Sequence, residues 1–147
     1  MKTRLQRITD LLSYLRDFTV PGLPSPILGV DNAQTTSALA SKSGPQLVAA
    51  YPEVAHKGNS DTYVETLQTA FFVLDKALGA ARTAEAEFDQ YLRLATLADA
   101  VLTRIERDTT SPFASPIGSL TLLTATVTPE ASLFGGWVGY TIELSLK

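Results

Sequence analysis

The sequence predicts an α+β fold, a small antiparallel or mixed sheet with helices packed on one face. Three observations carry this prediction. Two segments repeat apolar residues at three- and four-residue steps, as one face of a helix does. Others alternate apolar and polar residues, as half-buried strands do. The two kinds follow one another in the order helix, strand pair, long helix, strand pair, which folds most simply as helices over one sheet. With 147 residues, 45% of them apolar, the chain can bury one core, and a single domain over 1–147 is expected.

The first helix is read from Leu5, Ile8, Leu11, Leu12, Leu15 and Phe18, with Arg4, Arg7, Asp10 and Arg16 on other faces. Val20-Pro21-Gly22 ends it, because proline disfavours helix in the residue before it. The stretch 21–45 begins with Pro21, Pro24 and Pro26 and continues in Ala, Ser, Thr and Gln, with only Asp31 and Lys42 charged. It is expected to be a long low-charge loop or arm, with room for a short strand at 27–30. Gln46 to Tyr51 reads as a strand stopped by Pro52, and 53–61 as a polar turn.

The segment 63–76 fits two periods. As a helix, Val64, Leu67, Phe71 and Leu74 form a stripe. As a strand, Tyr63, Leu67, Phe71 and Val73 share one face, and Val64, Ala70, Phe72 and Leu74 share the other. Its Thr, Tyr, Val and Phe content favours a strand antiparallel to 46–51. Thr83 is placed to cap the long helix 84–107, whose apolar stripe runs from Phe88 through Leu92, Ala98 and Leu102 to Ile105. After a Thr-Ser-Pro linker, 120–127 alternates as a strand, 129–136 reads as a turn, and Val138, Tyr140, Ile142, Leu144 and Leu146 mark one face of a last strand.

Composition narrows the function. A net charge of −3 argues against nonspecific nucleic-acid binding, which needs clustered Lys and Arg. The absence of cysteine removes disulfides, thiolate metal sites and cysteine nucleophiles, and one histidine makes a structural zinc site unexpected. No window approaches the roughly 18 uninterrupted apolar residues of a membrane helix, and charges interrupt the basic N-terminus before any signal-peptide core forms. A cytoplasmic chain with no membrane partner is the expectation.

No residue set reads as a catalytic, cofactor-binding or metal site. His56 lies among Glu53, Ser60 and Asp61, but this spacing is that of an exposed histidine in a polar turn. Glu85, Glu87 and Asp89 are two apart, so they point to different faces of a helix and serve its N-terminal dipole. The run Gly135-Gly136-Trp137-Val138-Gly139-Tyr140 lacks the Lys-Ser/Thr ending of a phosphate loop and leads into a strand; Trp137 is expected in packing. Arg4, Arg7 and Arg16 share their helix with Asp10 and Asp17, as on a solvated face.

The run Thr69-Ala70-Phe71-Phe72-Val73-Leu74-Asp75-Lys76, the helix from Phe88, and the closing run from Gly135-Gly136-Trp137 to Leu146 resemble phage tail-terminator and head–tail joining (neck) proteins. The likeness is one of pattern and spans roughly 47–147. It implies a structural subunit without catalytic residues or cofactor, forming a ring, commonly a hexamer, at the tail end or neck of a phage or tail-like particle. The partners so implied are copies of the chain and tail-tube or connector proteins, and the location is the virion. A small cytoplasmic protein-binding or adaptor domain unrelated to phage is the alternative, and a site assembled between subunits is a third reading.

Overall fold

A computed structural model describes residues 2–59, 64–80 and 82–147. The chain runs α1 (Arg4–Asp17), β1 (Ile27–Gly29), α2 (Asn32–Leu39), β2 (Gln46–Ala50), β3 (Glu53–Lys57), β4 (Val64–Lys76), α3 (Ala84–Thr109), β5 (Leu122–Leu133) and β6 (Trp137–Leu146). The strands form one mixed sheet in the order β1-β2-β4-β6-β5, with β3 also on β4. Helices packed against this sheet make an α+β fold.

Both long helices start where their caps dictate. The Thr3 hydroxyl accepts from Gln6 N at 3.2 Å while Gln6 Oε1 accepts from Thr3 N at 2.8 Å, satisfying two otherwise orphan donors. Thr83 accepts from Ala86 N at 3.1 Å, and Glu85 and Glu87 lie in the positive first turn of α3.

The strand reading of 63–76 holds over the described residues 64–76: β4 is the centre of the sheet. Along one edge it pairs antiparallel with β6, from Leu67↔Leu146 to Lys76↔Trp137. Along the other it meets β3 first (Glu53↔Gln68) and then β2 (Ala49↔Phe71), also antiparallel. Between those registers Ala50, Tyr51 and Pro52 stand opposite only Thr69 and Ala70, so one residue bulges out. Pro52 has no N–H for the ladder, and the Thr69 hydroxyl donates to Ala50 O at 2.7 Å inside the gap.

Strand alternation sorts the core into two clusters. Leu67, Phe71, Val73, Ile142 and Leu144 turn to one face, where Leu11, Leu15 and Phe18 of α1 and Leu94, Val101 and Ile105 of α3 cover them. The smaller cluster on the other face is Leu39, Val48, Leu74 and Trp137. Gly139 lets β6 lie close against β4: its φ is +152°, and a Cβ there would stand 1.9 Å from Val73 O.

Several expectations need correction. The short strand expected at 27–30 is β1, parallel to β2, but the rest of 21–45 is not a loop or arm: it contains α2, started by the Asp31 carboxylate accepting from Gln34 N at 2.7 Å. The helix has almost no apolar stripe, since only Thr35 and Leu39 bury, and it therefore leaves no periodic signal. Because α2 packs its Leu39 on the second face, the helices cover both faces of the sheet rather than one. The polar turn at 53–61 contains β3 over 53–57, and β5 continues through Pro129 to Leu133, past a register shift. α3 ends two residues later than expected, at Thr109.

Candidate interaction surface

The second face of the sheet is covered at one end only. α2 and the ring of Phe134, which packs edge-on to Phe72 at 5.3 Å, sit over the Leu74 end. At the other end, cross-strand register sets Glu53, Gln68, Ser145 and Thr124 in one row and Ala70, Glu143 and Thr126 in the next. With Tyr51, Val30 and Gly29 these residues line an open groove of about 610 Å³. Its lining offers hydroxyl, amide and carboxylate groups and no lysine or arginine. The sequence reading missed this surface because it placed Glu53 in a turn rather than on β3.

The second feature is the edge strand β5. It is 12 residues long, and among the described residues no strand pairs with its outer side. Leu123 and Val127 are 47% and 42% exposed. Natural edge strands are usually guarded by charged side chains, yet Glu130 is the only charge between Leu122 and Leu133, and its Oε1 accepts from the Thr141 hydroxyl at 3.1 Å. α3 borders the same edge, with the Tyr91 hydroxyl donating to Glu130 O at 2.7 Å. Phe88 and Leu92, on the flank that turns from Tyr91 to solvent, are 67% and 55% exposed.

The residues weighed as chemistry take structural places. His56 is on β3, with Nδ1 3.7 Å from Glu65 Oε2; the same carboxylate receives Arg4 Nε at 2.7 Å and lies 3.8 Å from Arg7 Nη1. This cluster ties α1 to β4, so Arg4 and Arg7 are engaged with Glu65, while Arg16 pairs with Asp17 at the exposed end of the helix. Ser60 and Asp61 lie outside the described residues. Glu87 pairs with Arg82, and Glu85 and Asp89 are exposed on α3. Trp137 is buried beneath Leu39, as a packing role requires, with Lys76 Nζ 5.8 Å from its ring centroid. Gly135 and Gly136 form the β5–β6 turn, with φ of +84° and +107°.

No protein-family model and no curated protein sequence matches the chain. Among the described residues no three His, Asp or Glu side chains gather closely enough to hold a metal ion, and no helix is long and apolar enough to cross a membrane.

One buried polar set has a clear structural task. The Tyr14 hydroxyl donates to Asp108 Oδ2 at 2.8 Å, and Arg104 Nε reaches the same oxygen at 2.8 Å while its Nη1 donates to Thr19 O at 3.1 Å. Burial, and then the bond to Asp108, push the Tyr14 phenol well above its ordinary value. The set bolts the C-terminal ends of α1 and α3 together and faces no groove.

Proposed function

We propose that this chain is a structural subunit that assembles with copies of itself, in the ring at the tail end or neck of a phage or phage-tail-like particle to which its sequence pattern is similar. The observation that supports the reading is β5, a long edge strand with a single charge and with Leu123 and Val127 exposed along it. Such an edge is a pairing surface: Pro129 and the register shift beside Leu123 blunt its two ends, but the residues between them carry no charge. On this reading the chain does no catalysis and needs no cofactor. Its partners are its own copies, in a ring of about six, and the tail-tube or connector proteins of a particle assembled in the host cytoplasm.

The test is sedimentation of the purified chain with electron microscopy of the same sample. Closed rings or stacked tubes are the expected result. A clean monomer at every concentration would overturn the proposal. It would favour the second reading, a small protein-binding or adaptor domain unrelated to phage, for which the bare groove between Tyr51 and Thr126 supplies a surface.

A further inference from the structure

This inference rests on the reading of the chain as a self-assembling subunit. Pro129 lies within β5, opposite Tyr140. A proline fits a strand only where its missing N–H would point away from the ladder. By strand alternation, Ala125 and Val127 then also direct their N–H and C=O groups outward. On the other side, the register shift between Leu122 and Thr124 leaves Leu123 as an extra, bulged residue. Bulge and proline therefore bracket a pairing window of five residues, Thr124-Ala125-Thr126-Val127-Thr128, with no charge in it.

We infer that two copies join β5 to β5, antiparallel, about a two-fold axis through Thr126. The window is complementary to itself about that point. Ala125 of one copy stands opposite Val127 of the other, and each such pair exchanges two backbone hydrogen bonds. Thr124 meets Thr128, and each bulge faces the partner's Pro129, which has no N–H to leave unpaired. The small Ala125 leaves room for Val127 beside it. The alternative edges fit β5 less well: β1 has only three residues, and β3 carries Glu53, His56 and Lys57.

With net charge −3 per copy, a shared edge must keep like charges apart, and the only carboxylate on β5 is Glu130, held on Thr141. A five-residue ladder alone is smaller than the roughly 800 Å² per partner of a standard interface. Leu123 and Val127, 47% and 42% exposed, add apolar area on the strand itself. A two-fold joint closes at two copies, so a ring must use a further surface, and the β5 joint then ties two subunits across it.

The chain contains no cysteine, so a single introduced thiol reports one contact. Thr126 forms a non-hydrogen-bonded pair with its own symmetry mate, with Cα atoms about 4.5 Å apart, inside the range of a disulfide. Thr126→Cys is therefore expected to give a covalent dimer under mild oxidation. Thr124→Cys alone should not, because its mate is four residues away, roughly 14 Å. A mixture of Thr124→Cys and Thr128→Cys should give the mixed dimer. Val127→Lys should weaken association at least tenfold without lowering the melting temperature, since Val127 is already 42% exposed. If Thr126→Cys stays monomeric on a non-reducing gel while the wild-type chain sediments as a larger species, this contact is wrong and the structural-subunit reading stands. If the wild-type chain sediments only as a monomer, both fall.

Discussion

Replacing Ile142 by aspartate isolates how much of the fold hangs on the last strand. Ile142 is fully buried, paired with Phe71 on one side and Val127 on the other, and covered by α1 and α3. Deleting a buried isoleucine side chain costs about 2–5 kcal/mol in lost transfer energy and residual cavity. The carboxylate adds a second penalty, because among the residues around Ile142 in the main core cluster none carries a positive charge. To stay folded, the side chain must remain protonated, and at pH 7 that costs about 4 kcal/mol, 1.36 kcal/mol for each pH unit above the ordinary aspartate value near 3.9. Together these approach or exceed the 5–15 kcal/mol, on the usual order, that holds a domain of this size.

The sign of the pH dependence follows. A folded-state pKa raised above the unfolded one means that the folded state holds its proton more tightly, so the penalty is small near pH 4 and grows as pH rises. Ile142→Asn changes the shape in the same way without a titrating group. The expected result, in urea titrations followed by circular dichroism, is that Ile142→Asn melts at a reduced midpoint at both pH 5 and pH 7. Ile142→Asp should be close to it at pH 5 and largely unfolded at pH 7. A cooperative Ile142→Asp transition at pH 7 with the wild-type midpoint would refute the placement of β6.

The Tyr14 network predicts alkaline sensitivity: its phenol is held neutral in the folded state, so stability present below pH 10 should fall as pH rises beyond the ordinary tyrosine value, and Tyr14→Phe should flatten that slope while costing about 1.5–3 kcal/mol at pH 7, read from denaturant midpoints. Leu39→Ala should cost about 2–5 kcal/mol in the same assay, because Leu39 anchors α2 over Val48, Leu74 and Trp137; an unchanged midpoint would restore the view of 21–45 as a detachable arm.

The parts of the fold that sequence reading recovers are those where one side-chain period dominates. α1, α3 and β6 each keep an apolar face for ten residues or more, so hydrophobic burial repeats audibly along the chain. β4 is ambiguous because it buries residues on both faces, and only its Thr, Val and Phe content separates strand from helix. α2 and β3 are missed for opposite reasons. α2 buries two residues and is fixed by its Asp31 cap and by tertiary contact, neither of which shows as periodicity. β3 carries Glu53, His56 and Lys57, which suit an exposed turn, and it becomes a strand because β4 is long enough to offer it a ladder. The interaction surface is less legible still. Whether Leu123 and Val127 are buried or bare depends on how far α3 reaches across the sheet, and no local pattern encodes that.

The central position of β4 also sets when the domain can form during synthesis. Its ladder to β6 joins residues such as Leu67 and Leu146, with α3 and β5 lying between them in the sequence. Until β6 emerges from the ribosome, β4 carries a bare edge and apolar side chains on both faces. Long-range pairing of this kind is slow, because loop closure must come before any of its contacts are gained. A growing chain in that state is prone to pair with its neighbours on the same message, and a chain truncated before Trp137 is expected to aggregate rather than persist as a soluble fragment.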